Sequence, residues 1–181
     1  MTYNFKYLYF DISLVIFFIF IIIWILFDPY ESNFQFFFMF DALNYNFSFG
    51  IDGISLFFIY LSTLLIPLCI LFSFYNMKQK NKLEIELYQS FLFLTLFLLI
   101  IVFSSLDILF FYIVFEIIII PFFVLIGVSS YRKRRIHASY LFFFYTLVGS
   151  FLMLISIFSL YSSTGTSNIE VLLNNQYSFY R

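Results

Sequence analysis

The chain has 181 residues, of which 64% are hydrophobic and 10% are charged, and its formal net charge is −1. A water-soluble domain carries about 25% charged residues, so this composition leaves too little polar surface to cover a soluble globule. The net charge says nothing about nucleic acid, but the sequence has no extended basic patch to bind it, so nucleic acid is not expected as a partner. The composition instead indicates an integral membrane protein, with a mean hydropathy of +1.02.

Apolar runs along the chain predict an all-α transmembrane fold with about five spanning helices in a single membrane domain, residues 1–181. A helix needs about 20 apolar residues to cross the hydrocarbon core. The long apolar stretch at 87–127 is divided by Ser-Ser-Leu-Asp at 104–107, which predicts a tight turn. The predicted spans are 8–27, 54–75, 87–104, 107–127 and 137–161, with loops at 28–53, 76–86 and 128–136 and a tail at 162–181.

The basic residues predict the orientation of these spans. Eight of the nine Lys and Arg residues precede the first span, lie between the second and third, or lie between the fourth and fifth. By the positive-inside rule this side faces the matrix or cytoplasm, with the N-terminus on the same side and the C-terminus opposite. The basic run 132–135 is interpreted as a topology determinant, with contact to anionic lipid such as cardiolipin as the alternative.

A single carboxylate, Glu116, lies near the midpoint of the fourth span, in LFFYIVFEIIIIPFF at 109–123. At 1.5 Å per residue it lies about 14 Å from the Asp107 end of the helix. Placing an acid at the membrane centre costs about 3 kcal/mol, so a function or a partner is expected. We predict a protonatable site in an ion pathway. The alternatives are a neutral structural carboxyl bonded to a neighbouring helix, or a lipid-facing residue without a function.

Three residues are predicted to shape the surroundings of this carboxylate. Pro121 removes the backbone hydrogen bond to the carbonyl of Ile117, which predicts a kink. The alternative is that the loosened turn admits water or cations. Thr146 and Ser150 are four residues apart and share a helix face. They are predicted to hydrogen-bond across to a neighbouring helix, with the lining of a wet cavity as the alternative.

Four other polar or reactive residues receive more ordinary interpretations. Asp52 and Asp107 each precede an apolar helix and are predicted to be N-caps, with the mouth of a proton path or a subunit contact as alternatives. His137 is predicted to be a solvated interfacial residue, and Cys69 a small buried hydrophobe. One Cys and one His without further partners predict neither a disulfide framework nor a metal site.

Three segments resemble the chain 4 family of respiratory complex I, NADH:ubiquinone oxidoreductase. The members of this family are antiporter-like membrane subunits. The three segments are GIDGISLFFIYLSTLLIPLCIL at 50–71, LDILFFYIVFEIIIIPFFVLIGV at 106–128 and HASYLFFFYTLVGS at 137–150. The resemblance implies a fold of about fourteen helices with two inverted repeats, of which this chain would supply the N-terminal part. It also implies that Glu116 is the glutamate of a central proton pathway, paired with a lysine on a later, broken helix.

The resemblance further implies what surrounds the chain. The lysine is expected in a companion chain that carries the C-terminal part of a split chain 4, next to other antiporter-like and accessory subunits. NADH, FMN, iron–sulfur clusters and ubiquinone are expected elsewhere in the complex, and no cofactor is expected in this chain. The expected location is the mitochondrial inner membrane. The 32 Phe and 15 Tyr indicate A- and T-rich codons and thus an organelle or reduced genome, and together with the resemblance this predicts a mitochondrial gene. The rival hypotheses are a subunit of a related Na⁺/H⁺ antiporter and a scaffold that does not pump.

Overall fold

The structure is a computed structural model that describes residues 4–31, 33–42, 45–76, 82–128 and 133–173. Within these residues the chain forms five long helices and one two-stranded hairpin. All five helices are long and apolar enough to cross a membrane, which confirms the predicted helical membrane fold. In chain order the elements are α1 (Asn4–Leu26), β1 (Gln35–Ala42), β2 (Tyr45–Ile51), α2 (Gly53–Asn76), α3 (Lys82–Ser104), α4 (Ile108–Val128) and α5 (Lys133–Thr164).

The helices pack in sequence order, so that each contacts the next along the chain and α4 lies between α3 and α5. Only 6% of the α1 span and 11% of the α5 span are buried, against 39% of the α2 span. The two outer helices therefore leave large apolar faces for lipid or for other chains. Two clusters of buried side chains join the central helices: Ile66, Ile70, Leu92, Leu96 and Leu125 across α2, α3 and α4, and Leu98, Val102, Val114 and Ile118 across α3 and α4.

Three helices extend by three to five residues beyond a predicted bound, and the first of them, α1, begins at Asn4 instead of residue 8. The α3 helix begins at Lys82 instead of residue 87, and α5 runs from Lys133 to Thr164 instead of 137–161. Hydropathy marks only the apolar part of a helix, whereas Lys, Arg and Glu are good helix formers and continue it into the interface. At 32 residues, α5 is about 48 Å long and exceeds the hydrocarbon thickness.

The predicted loop at 28–53 is wrong in its central part, because β1 and β2 form an antiparallel hairpin there. Met39 lies opposite Ser48, and Phe40 lies opposite Phe47. The β2 sequence alternates apolar and polar or small residues with the period of a strand, which is the signal that the loop prediction missed. In β1 the alternation is hidden by the consecutive apolar residues 36–40.

The hairpin, the turn at 105–107 and the segment 165–173 meet at one end of the helix bundle. The N–H of Leu106 donates to the carbonyl of Ser48 (3.0 Å), and the N–H of Ile169 donates to the carbonyl of Leu106 (2.9 Å). We call this three-part contact the hairpin clasp. It requires a close approach at Gly50, where a Cβ would lie 2.9 Å from Leu106 Cδ1.

The opposite end of the bundle carries the predicted basic loops. Lys82 and Lys133 are the first residues of α3 and α5 and lie at this end. The remaining part of the predicted basic run, at residue 132, and the lysines at 78 and 80 fall outside the described residues, as does the tail from 174. The structure therefore describes only part of the end of the bundle at which the sequence predicts most of the basic residues.

Candidate functional site

Glu116 lies on the side of α4 that packs against α5. Val114 and Ile118 face α3, where they belong to a buried cluster. Tyr112 and Glu116 are four residues apart and therefore share another face of the helix. Aromatic contacts hold α5 against this part of α4: the Phe123 ring centroid lies 5.3 Å from that of Tyr140. The carboxylate consequently meets a protein interface, and the interpretation of Glu116 as a lipid-facing residue does not fit the structure.

Two hydroxyl groups donate to the same oxygen of this carboxylate. The Tyr112 hydroxyl donates to Oε1 of Glu116 from one turn earlier on α4. The Ser150 hydroxyl on α5 lies 3.1 Å from the same Oε1, and it also lies 2.9 Å from the carbonyl oxygen of Leu147. Both donors are buried, with Tyr112 7% and Ser150 3% exposed. Hydrogen bonds from buried hydroxyls stabilise a negative charge more than they would in water.

A groove of about 310 Å³ runs beside Glu116 between α4 and α5. Its other lining side chains are apolar, so Glu116 supplies the only ionisable group in the described lining. The groove opens to the surface, because Ile120 is 55% exposed and Leu147 is 44% exposed. Besides Glu116 itself, the lining side chains are Ile113, Ile117, Ile119, Ile120, Phe143 and Leu147.

Of the two hydroxyl residues predicted on α5, the structure brings only Ser150 to the carboxylate. The Thr146 hydroxyl donates to the carbonyls of Phe142 (2.7 Å) and Phe143 (3.0 Å) on its own helix. The predicted cross-helix bond of Thr146 is therefore wrong within the described residues. A helical Thr can satisfy its hydroxyl on the preceding turn, so sharing a face with Ser150 does not force it to bond a neighbour.

Pro121 lies in the interior of α4, and its side chain is fully buried. The helix continues past it to Val128. The proline leaves the carbonyl of Ile117 without its usual helical donor, one residue after Glu116. The kink and the entry of water or cations at this turn stay predictions.

The structure places Asp107 at the N-cap of α4. Its Oδ1 accepts from the backbone N–H groups of Leu109 (2.9 Å) and Phe110 (3.2 Å). Its Oδ2 accepts from the hydroxyl of Ser167 (2.9 Å), which lies in the hairpin clasp. The carboxylate is 8% exposed and has partners on both oxygens. Asp107 therefore ties the start of α4 to the segment after α5.

Asp52 also precedes a helix, but its carboxylate is not the capping group. The hydroxyl of Ser55 accepts from the N–H of Asp52 (2.7 Å) and donates back to its carbonyl (2.9 Å). Among the described residues, none donates a hydrogen bond to the Asp52 carboxylate, so the predicted capping by this side chain is wrong. Partial desolvation raises the pKa of the Asp52 carboxyl above its ordinary value of 3.8.

The sequence reasoning missed Tyr112 and Ser55. Each had a local signal: Tyr112 lies four residues before an intramembrane acid, and Ser55 lies three residues after the helix-capping position. His137 is exposed on the first turns of α5, and Cys69 is partly buried against the cluster around Ile70. In the ranges that the structure describes, no group of three His, Cys, Asp or Glu residues is placed to hold a metal ion.

Comparison with known proteins relates the chain to one group of membrane proteins. The family model described as NADH:quinone oxidoreductase/Mrp antiporter, TM, matches residues 105–180, which include α4 and α5. The chain is 44% identical over 169 residues to NADH-ubiquinone oxidoreductase chain 4 of Marchantia polymorpha, and 46% identical over 170 residues to that of Chondrus crispus. These alignments cover 92% of this chain in both cases, and 33% and 34% of the relatives.

A third relative gives a shorter but closer match. Chain 4 of Metridium senile is 52% identical over 128 residues, which cover 69% of this chain and 25% of the relative. The chain thus spans about a third of the length of the relatives from Marchantia polymorpha and Chondrus crispus. Five apolar helices together with these relatives identify a multi-pass membrane protein. The chain belongs to the NADH-ubiquinone oxidoreductase chain 4 family.

Proposed function

We propose that the chain is part of the proton-pumping membrane arm of mitochondrial respiratory complex I and supplies Glu116 to a proton pathway. One observation carries this proposal. Glu116 is a carboxylate in mid-helix, held by Tyr112 and Ser150 and adjoining an open groove. The described part of the chain places no basic side chain in that groove. An intramembrane acid built in this way is suited to exchange a proton with a partner outside these residues.

The chemistry of the proposed site is a reversible protonation. A cationic side chain entering the groove favours the carboxylate of Glu116, and its withdrawal in an apolar surrounding favours the neutral acid. A movement of that cation therefore changes the affinity of Glu116 for a proton. The resemblance to the family implies that this cation is a lysine. It would lie on a later helix of the fold, in the region that the longer relatives have beyond the part matched by this chain.

The wider assignment follows the names of the relatives, which are all chain 4 of NADH-ubiquinone oxidoreductase. Within the proposal, NADH, FMN, the iron–sulfur clusters and ubiquinone bind to other subunits. Glu116 then contributes to transport driven by their redox chemistry. The companion chain, the accessory subunits, cardiolipin at the basic end, the inner-membrane location and the matrix-facing N-terminus belong to the same proposal.

A second candidate is a subunit of a related cation/proton antiporter, since the description of the matching family includes such transporters. The same groove and carboxylate would then exchange Na⁺ and H⁺. The two candidates differ in what purifies with the chain. Iron–sulfur subunits in the stable complex support complex I, and their absence supports the antiporter. Peptide mass spectrometry of that complex also tests the proposed companion chain, because it identifies whether peptides of the later helices are present and to which polypeptide they belong.

Glu116→Gln tests the role of the carboxylate. The amide keeps the size of the side chain and removes its proton exchange. We expect normal assembly of the complex and a large loss of protons pumped per NADH oxidised, measured after reconstitution into liposomes. The matched control is Glu31→Gln, because Glu31 is exposed outside the helices. Normal pumping by Glu116→Gln in an assembled complex would overturn the proposal.

A further inference from the structure

We propose that Tyr112 and Ser150 are positioning residues that occupy Oε1 of Glu116, so that the proton is gained and lost at Oε2 through the groove between α4 and α5. This inference rests on the proposed function of Glu116. It adds which atom carries the proton, which side of the carboxylate is used, and which two residues set that choice.

The first step is the occupancy of Oε1. A carboxylate oxygen has about two lone-pair positions for hydrogen bonds. The Tyr112 and Ser150 hydroxyls donate to this one oxygen and can fill both of them. A buried tyrosine hydroxyl needs a partner, and the hydrogen bond of Tyr112 is to Glu116. Oε1 is therefore fixed by the fold and has no free position for an incoming proton donor.

The second step concerns Oε2. Among the described residues, none donates a hydrogen bond to this oxygen, while the groove beside Glu116 is otherwise lined by apolar side chains. A proton carrier that enters the groove meets one polar group, the open side of Glu116. When the carrier is a hydronium ion or an alkylammonium group, its O–H or N–H bond breaks as an O–H bond forms at Oε2. The carrier is left as water or as a neutral amine.

The third step separates the two donors. The Ser150 hydroxyl has one proton and two acceptors, Oε1 of Glu116 and the carbonyl of Leu147. When Glu116 is neutral, this proton can turn to Leu147 without loss of a hydrogen bond. The Tyr112 hydroxyl hydrogen-bonds Glu116 and also has the Ser150 hydroxyl as a hydrogen-bonding neighbour, but among the described residues no backbone carbonyl is its acceptor. Because only Ser150 shares its proton with a backbone carbonyl, Tyr112 is the stronger positioning residue, and Ser150 is the one that responds to the charge of Glu116.

The test uses the complete respiratory complex reconstituted into liposomes. Tyr112→Phe removes the hydroxyl and keeps the ring, and a lost hydrogen bond to a charged group should lower pumping by about tenfold. Ser150→Ala should lower it by about threefold, because Ser150 is shared with Leu147. In the Glu116→Gln background, adding Tyr112→Phe should cause no further loss, since the hydroxyl acts through the carboxylate. Tyr145→Phe is the matched control, because Tyr145 is 76% exposed on α5.

A spectroscopic measurement distinguishes positioning from a merely structural role. The infrared carbonyl band of protonated Glu116 is identified by its disappearance in Glu116→Gln. It should shift in Tyr112→Phe and stay in place in Tyr145→Phe. If the complex with Tyr112→Phe does not assemble, the inference is tested instead by the infrared carbonyl band of Glu116 and by proton pumping in Ser150→Ala. If Glu116→Gln loses pumping while Tyr112→Phe and Ser150→Ala pump normally with an unmoved band, this inference alone is overturned. Normal pumping by Glu116→Gln overturns the proposed function instead.

Discussion

Two carboxylates of α4 differ in how many of their oxygens accept hydrogen bonds from the described residues. Asp107 at the start of α4 has partners on both oxygens, two of them backbone N–H groups and one the Ser167 hydroxyl. Glu116, about 14 Å further along, has two donors on Oε1 and an open groove beside it. A fully partnered carboxylate holds structure together, whereas a half-partnered one next to a groove retains the capacity to exchange a proton.

The largest effect on proton pumping is expected when the side chain of Glu116, the half-partnered carboxylate, is shortened. Glu116→Asp keeps the charge but withdraws it from Tyr112 and Ser150 by one methylene. A displacement of about 1 Å in a reacting group can lower a rate by about a hundredfold. We expect a loss of that order in proton pumping with assembly retained. Pumping near the wild-type level would show that the hydroxyl contacts do not matter.

Filling the groove should have the next largest effect. Ile120→Trp places a large side chain in the lining beside Glu116, and overpacking of this kind should lower pumping by about tenfold. The control is Phe144→Trp, since Phe144 is 60% exposed on α5 and does not line the groove. Equal pumping by the two variants would argue against proton entry through the groove between α4 and α5.

The opposite result is expected at the fully partnered carboxylate. Asp107→Ala removes an N-cap and should lower the free energy of unfolding by about 1 to 2 kcal/mol. The decrease can be followed as faster thermal inactivation of the complex. Asp107→Asn, which keeps a side-chain acceptor, should lose less. Protons pumped per NADH should stay normal in complexes that remain assembled. A specific loss of pumping would instead place Asp107 in the proton path.

The smallest effect is expected at Asp52, whose carboxylate accepts no hydrogen bond from the described residues. Because desolvation raises its pKa above 3.8, ionising the Asp52 carboxyl costs more free energy in the folded chain than in the unfolded chain, which lowers stability at neutral pH. Asp52→Asn should therefore raise stability at pH 7, by less than about 0.5 kcal/mol. The difference should shrink as the pH falls through the raised pKa and vanish below the ordinary value. Thermal inactivation measured across this pH range checks the sign.

Hydropathy was sufficient to predict five apolar helices and the mid-helix position of Glu116, because both depend on position along the chain. The contacts of Glu116 depend on how α5 is rotated about its axis, which the sequence does not state. Thr146 and Ser150 share a face, yet only Ser150 reaches the carboxylate. Tyr112 was missed because a tyrosine among so many aromatic residues did not stand out, although its spacing from Glu116 was informative.

The hairpin was missed for a different reason. In a chain with 32 Phe, the apolar and aromatic residues of β1 resemble any other apolar run. What distinguishes a strand from a loop there is the pairing with β2 and the contact with Leu106, and both involve residues distant in sequence. Single-sequence patterns record local periodicity and do not record such partners.

The hairpin clasp also constrains the order in which the chain can be assembled in the membrane. Ser48 and Asn168 are 120 residues apart and are joined by a hydrogen bond from the amide of Asn168 to the hydroxyl of Ser48 (3.3 Å). The ribosome needs on the order of 6 to 24 seconds to add the intervening residues. The hairpin is therefore synthesised well before the segment 165–173 that it contacts, and this contact cannot form until α5 has been made. Insertion of α5 is thus the step that closes this end of the bundle.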